Sequence, residues 1–182
     1  MIDKVFSALA YLGVAVLIIF IHEIGHYIFG CLLGIPRNRM AIRIRKMTPH
    51  VAIINDNDEK ISFVNMDEYI DILERYLTSD NKIFLYIIGG HTIELILLLT
   101  LATVSFFSKD SFAFYIANTA AWIAPLLAVN YLLTDIIITI RNKRPSGGDF
   151  SGSWAVSPFK AVLFYLFYFS GLVFAFVMMR GM

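Results

Sequence analysis

Charge is what this sequence has least of. Only 16% of its 182 residues are Asp, Glu, Lys or Arg, whereas 58% are hydrophobic and the mean hydropathy is +0.71. A water-soluble domain of this length rarely carries so few charges, and the apolar residues come in long runs, which places the chain in the membrane class. A net charge of +1 offers no basic surface to a polyanion, so no nucleic-acid partner is expected. Cysteine is nearly absent as well. The single Cys31 excludes an internal disulfide, and its place inside an apolar run is that of a packing residue. No cleavable signal peptide is expected either, because the first apolar run lacks a basic lead-in and a small-residue cleavage site.

What is there begins with four apolar segments, at residues 5–33, 83–107, 112–140 and 159–179. Each reaches the length of about 20 residues that a bilayer crossing takes. The expected fold is therefore a membrane all-α protein of about four transmembrane helices, with Pro125 a kink in the third. Residues 1–35 form the first helix, 36–82 a polar insertion, and 83–182 the remaining helices. The insertion reads as α+β. Residues 40–45 nearly alternate apolar and basic, the period of a half-exposed strand. Residues 50–54 and 60–64 flank Asn55-Asp56-Asn57-Asp58, a hairpin turn. Asn65 and Glu68 have capping-box spacing, and Ile70, Leu73 and Leu77 give the following helix one apolar face. Arg37, Arg39, Arg43, Arg45, Lys46, Lys60, Arg75 and Lys82 lie in this insertion, and Arg141, Lys143 and Arg144 follow the third span. Only Lys4, Lys109 and Arg180 fall on the other side, so the positive-inside rule puts both basic loops in the cytoplasm and both termini outside.

The first apolar run contains His22-Glu23-Ile24-Gly25-His26, an HExxH sequence. On a helix, histidines at i and i+4 share one face a turn apart, so two imidazoles can meet one metal ion. Glu23 then stands beside the metal's open position, where a general base for a water is needed. The bland alternative is two histidines satisfied by neighbouring helices and a neutral glutamate. An ionised side chain at the centre of a membrane helix costs about 2.5–3.5 kcal/mol on insertion scales, which weighs against keeping one without a use.

The motifs together resemble the site-2 protease family of intramembrane zinc metalloproteases. Gly89-Gly90-His91-Thr92-Ile93-Glu94 is similar to that family's glycine-rich Gly-Pro-x-x-Asn element, with His91 and Glu94 in place of proline and asparagine. Asn130 followed by Pro145-Ser146-Gly147-Gly148-Asp149 is similar to its Asp-Gly element, with Phe150 where the second glycine is usual. The resemblance implies Zn2+ held by His22, His26 and Asp149, with Glu23 as the catalytic base. His91, Glu94 and Asn130 become groups that touch substrate or orient a zinc ligand, or one of the first two becomes a ligand itself. It also implies hydrolysis of peptide bonds within or near transmembrane segments of a membrane protein or peptide, in a multi-pass protein of the cell membrane whose site opens to the cytoplasm.

Depth along the helices is an independent check. Counted from the cytoplasmic ends, His26 lies roughly 14 Å deep, His91 and Glu94 roughly 12–17 Å, and Asn130 roughly 15 Å, so the polar groups of three helices share one layer. Asp149 reaches that layer only if residues 145–158 re-enter the protein, which Gly147, Gly148 and Gly152 permit. The residues alone leave the third ligand open among Asp149, Glu94 and Asp135. Two other readings remain. A membrane di-iron oxidase would use Glu23-x-x-His26 as a carboxylate–histidine box, but needs a second one where the chain has the reversed His91-x-x-Glu94. A non-catalytic metal-binding scaffold would have no need of Glu23.

Overall fold

The structure, a computed structural model, describes residues 2–45, 48–62, 65–108 and 111–180. Along the described chain come helix α1 (Ile2–Leu33), strands β1 (Met40–Arg45), β2 (Thr48–Ile54) and β3 (Lys60–Ile61), and helices α2 (Met66–Tyr76), α3 (Asp80–Ser108), α4 (Ser111–Asn142), α5 (Asp149–Val156) and α6 (Pro158–Arg180). Four helices are long and apolar enough to cross a membrane, over Ala8–Leu33, Asp80–Phe107, Phe112–Asn142 and Pro158–Arg180, with mean hydropathies between 1.9 and 2.2. The protein is thus mostly helical, with a small three-stranded antiparallel sheet.

Small residues line much of the seam between the long helices, alongside buried Tyr168 and Leu172. Ala102, Ala117, Ala121 and Ala175 are fully buried where α3, α4 and α6 meet, while Leu12, Leu126, Phe159 and Phe167 stand outward. Small residues at the seam let backbones approach closely, which is how helices associate where water supplies no driving force. Pro125 lies inside α4, whose helix runs on to Asn142.

The sheet has the order β1-β2-β3, with Met40 opposite Ile53 and Ile42 opposite Val51 in the first pair, and Ile53 opposite Ile61 in the second. The turn expected at Asn55–Asp58 forms, because the Asn55 side-chain oxygen accepts from the Asn57 and Glu59 backbone N–H groups. The third strand is shorter than expected. It ends at Ile61, and positions 63 and 64 of the expected 60–64 strand lie outside the described residues, as does Lys109. The expected capping box does not form. Asn65 precedes α2 without a side-chain cap bond, and Glu68 instead accepts from Asn55 Nδ2 at 3.1 Å, tying α2 to the hairpin. The buried face of α2 and its end is Ile72, Leu73 and Leu77, with Ile70 exposed. It packs with Met40, Val51 and Ile53 of the sheet and with Tyr86 of α3, so the polar insertion is seated on the helices that carry the site.

Residues 145–158 were expected as a re-entrant loop. Most of them instead fold as the short helix α5, entered through Gly147 at φ +86° and packed against α3, α4 and α6. A backbone at positive φ favours glycine, and that turn aims the first residue of α5, Asp149, back towards α1.

Candidate metal centre

Three glycines bring α1 and α3 together. A Cβ at Gly25 would stand 2.5 Å from the Gly89 carbonyl oxygen and 2.8 Å from the Gly90 Cα. A Cβ at Gly90 would stand 2.6 Å from His26 Nε2 and 2.7 Å from His22 Nε2. Both imidazoles therefore lie directly over the bare backbone of α3. The Gly89-Gly90 pair is legible in the sequence, but its role as the floor beneath the histidines is not.

On that floor the donor atoms converge. His22 Nε2 and His26 Nε2 are 3.1 Å apart. Asp149 Oδ2 is 2.8 Å from the first and 3.3 Å from the second. The far side of each ring explains which atoms are bare. His26 Nδ1 faces the Tyr86 carbonyl oxygen at 3.0 Å, so it must donate, which leaves Nε2 with a lone pair. His22 Nδ1 faces Glu94 Oε2 at 3.4 Å, with the same consequence. Two lone pairs and a carboxylate oxygen pointing at one another repel unless a cation lies among them. Neutral imidazoles backed by carbonyl or carboxylate acceptors are the usual surroundings of a bound divalent metal, so the residues fit one.

No protein-family model, curated protein or solved structure matches the chain. The site has to be read from its chemistry.

His91, also buried, joins from α3. With His22 and Asp149 it forms a group whose donor atoms all lie within 4.8 Å of one another and could hold a metal ion. Glu94 stands behind these rings, with Oε2 3.4 Å from His22 Nδ1 and 3.5 Å from His91 Nδ1. Glu23 is placed differently. It follows His22 on α1, and its Oε2 accepts from the Val51 backbone N–H of β2 at 2.9 Å, while the grouped donors are those of His22, His91 and Asp149. The N–H that meets Glu23 belongs to the middle strand of the sheet. The reason is register: β3 pairs with β2 only at Ile53 and Ile54, which leaves the edge around Val51 facing α1.

Two expected polar groups lie elsewhere. Asn130 is exposed on α4 and accepts from Thr134 Oγ1 at 3.2 Å, whereas its neighbour Tyr131 reaches the His22 ring with centroids 6.4 Å apart. One residue turns a helix by about 100°, and sequence cannot fix that rotation. Asp135, the reserve ligand, is buried but engaged: Oδ2 accepts from Ser151 N at 2.8 Å and Oδ1 from the Ser146 hydroxyl. It fastens the turn that delivers Asp149. Tyr165 and Tyr168 of α6, which carry no motif, pack against His91 with ring centroids 5.6 and 4.7 Å away.

Proposed function

We propose that this chain is a multi-pass membrane protein acting as an intramembrane zinc metalloprotease, cleaving peptide bonds within or near transmembrane segments of a membrane protein or peptide. One observation carries the reading. A carboxylate, Glu23, directly follows His22 of a two-histidine, one-aspartate donor set, and its Oε2 is hydrogen-bonded to the backbone of β2. A purely structural site has no use for such a group, whereas hydrolysis needs a base there. The resemblance to the site-2 protease family agrees with that division of roles.

The chemistry that zinc supplies at such a site is acidification of a water and polarisation of a carbonyl. His22, His26 and Asp149 are the residues that would hold it. Glu23 is the proton acceptor, and its bond to Val51 N–H orients the carboxylate without neutralising it. Strand β1, an outer strand of the sheet, is a place for an extended peptide to pair, since a substrate helix must open its own hydrogen-bond ladder before its carbonyl can be attacked. The three carboxylates Glu23, Glu94 and Asp149 among apolar helices are a further reason for a divalent cation.

The deciding experiment is Glu23→Gln. The variant is expected to keep the fold and its zinc and to lose cleavage of single-span membrane substrates by about 10²–10⁴-fold. Undiminished turnover would sink the protease reading and leave the scaffold. Metal analysis showing iron in pairs would favour the oxidase.

Orientation has its own test. Cysteine labels at Arg75 and Arg144 are expected to react only from the cytoplasmic side, and tags on the termini only from outside. Labels reporting opposite sides for the two basic loops would overturn the four-span arrangement.

A further inference from the structure

We propose that His91 is a fourth protein donor to the metal, so that the centre carries three imidazoles and one carboxylate. This rests on reading the site as a metal centre, though not on peptide hydrolysis.

Geometry comes first. Metal bonds of about 2.0–2.1 Å put neighbouring donor atoms roughly 2.9–3.4 Å apart, from square to tetrahedral arrangements. The separations here are 2.8 Å for His22 Nε2 to Asp149 Oδ2, 3.1 Å between the two HExxH Nε2 atoms, 3.3 Å for His26 Nε2 to Asp149 Oδ2, and 3.6 Å for His91 Nε2 to the same oxygen. His91 therefore approaches Asp149 nearly as closely as His26 does.

The state of its two nitrogens adds a second observation. His91 is 5% exposed, and its Nδ1 has no hydrogen-bond partner among the described residues although Glu94 Oε2 is 3.5 Å away. At 3.6 Å, Nε2 is too far from Asp149 for a hydrogen bond. A buried imidazole left in this way is rare. A cation at Nε2 would fix the ring's proton on Nδ1, and the acceptor standing nearest that atom is Glu94, the carboxylate that also backs His22.

A packing residue with no metal contact is the ordinary alternative, since His91 also lies against Tyr168 and the His22 ring. Packing explains the burial but not why Nε2 is aimed at the oxygen that two other imidazoles already face. With His91 bound, the place that a three-donor centre leaves to water is taken, and water must enter as a fifth ligand.

The test is zinc X-ray absorption on the full chain in detergent, with zinc as the only added ligand. The expected result is scattering from three imidazoles per zinc, falling to two in His91→Leu, together with a loss of zinc affinity exceeding the roughly 10–100-fold typical of a residue behind a ligand. Two imidazoles in the parent chain would overturn the proposal, and that count needs no variant to fold. Three imidazoles without cleavage would uphold it while the protease reading fell. Absence of bound zinc would overturn both.

Discussion

The seam between α1 and α3 and the turn between α4 and α5 both bury carboxylates among polar partners, but they treat them in opposite ways. At the turn, Asp135 is saturated: Ser146 and the Ser151 N–H fill its oxygens, and a Cβ at Gly148 would stand 2.6 Å from it. At the seam, His22 Nε2, His26 Nε2 and Asp149 Oδ2 face one another, and with each Nδ1 turned to an acceptor behind it the neutral imidazoles bring only lone pairs to that point. A cluster whose oxygens already accept hydrogen bonds from the protein is part of the scaffold, because no cation is needed to satisfy it. An unsaturated one is costly unless something occupies it, and so marks a site.

Substituting the two aspartates is the strongest way to break that comparison. Asp149→Ala is expected to weaken zinc retention by more than about 100-fold, and Asp135→Ala only by the roughly 10–100-fold of a residue that orients a ligand. Competitive chelator titration measures both. An Asp135→Ala loss as large as that of Asp149→Ala would mean that the turn is no mere support.

A smaller step sharpens the geometry of the floor. Gly90→Ala should expel or displace the metal, because its methyl would meet both HExxH imidazoles within 2.7 Å. Gly152→Ala, whose methyl would meet only the Ile87 side chain at 3.4 Å, should retain full zinc stoichiometry. Metal-to-protein ratios after desalting distinguish the two.

The smallest effect expected is at the joint between the sheet insertion and α3. Tyr69→Phe removes the hydroxyl contact with Tyr86, 2.5 Å between oxygens, and should cost about 1 kcal/mol in unfolding. Zinc stoichiometry should not change, because it is the Tyr86 backbone carbonyl that holds His26.

The elements were legible where a single period ran long enough. Four apolar runs became four long helices, and the Asn55–Asp58 turn formed because an asparagine side chain can close its own loop. Short-range signals fared less well. The Asn65–Glu68 pair had capping-box spacing, yet Glu68 found Asn55 across the hairpin, a partner that only the folded insertion brings near. Residues 145–158 looked like loop because of their glycines, whereas the stretch after Gly148 had room for two helical turns against α3 and α6.

The sequence by itself determined that His22 and His26 share a helix face with Glu23 beside them, since a fixed turn of 3.6 residues requires it. It also placed His91 and Glu94 at similar depth, because rise along a helix is fixed as well. It could not determine rotation. Whether Asn130 or Tyr131 faces the histidines, and whether Asp135 or Asp149 does, depends on how each helix is turned against its neighbours. That turning is set by contacts distant in the chain: Gly25 against Gly89, Ser151 against Asp135, Val51 against Glu23. Local propensity specifies an element's length and depth, and only the packing of all the elements specifies which atoms face inward.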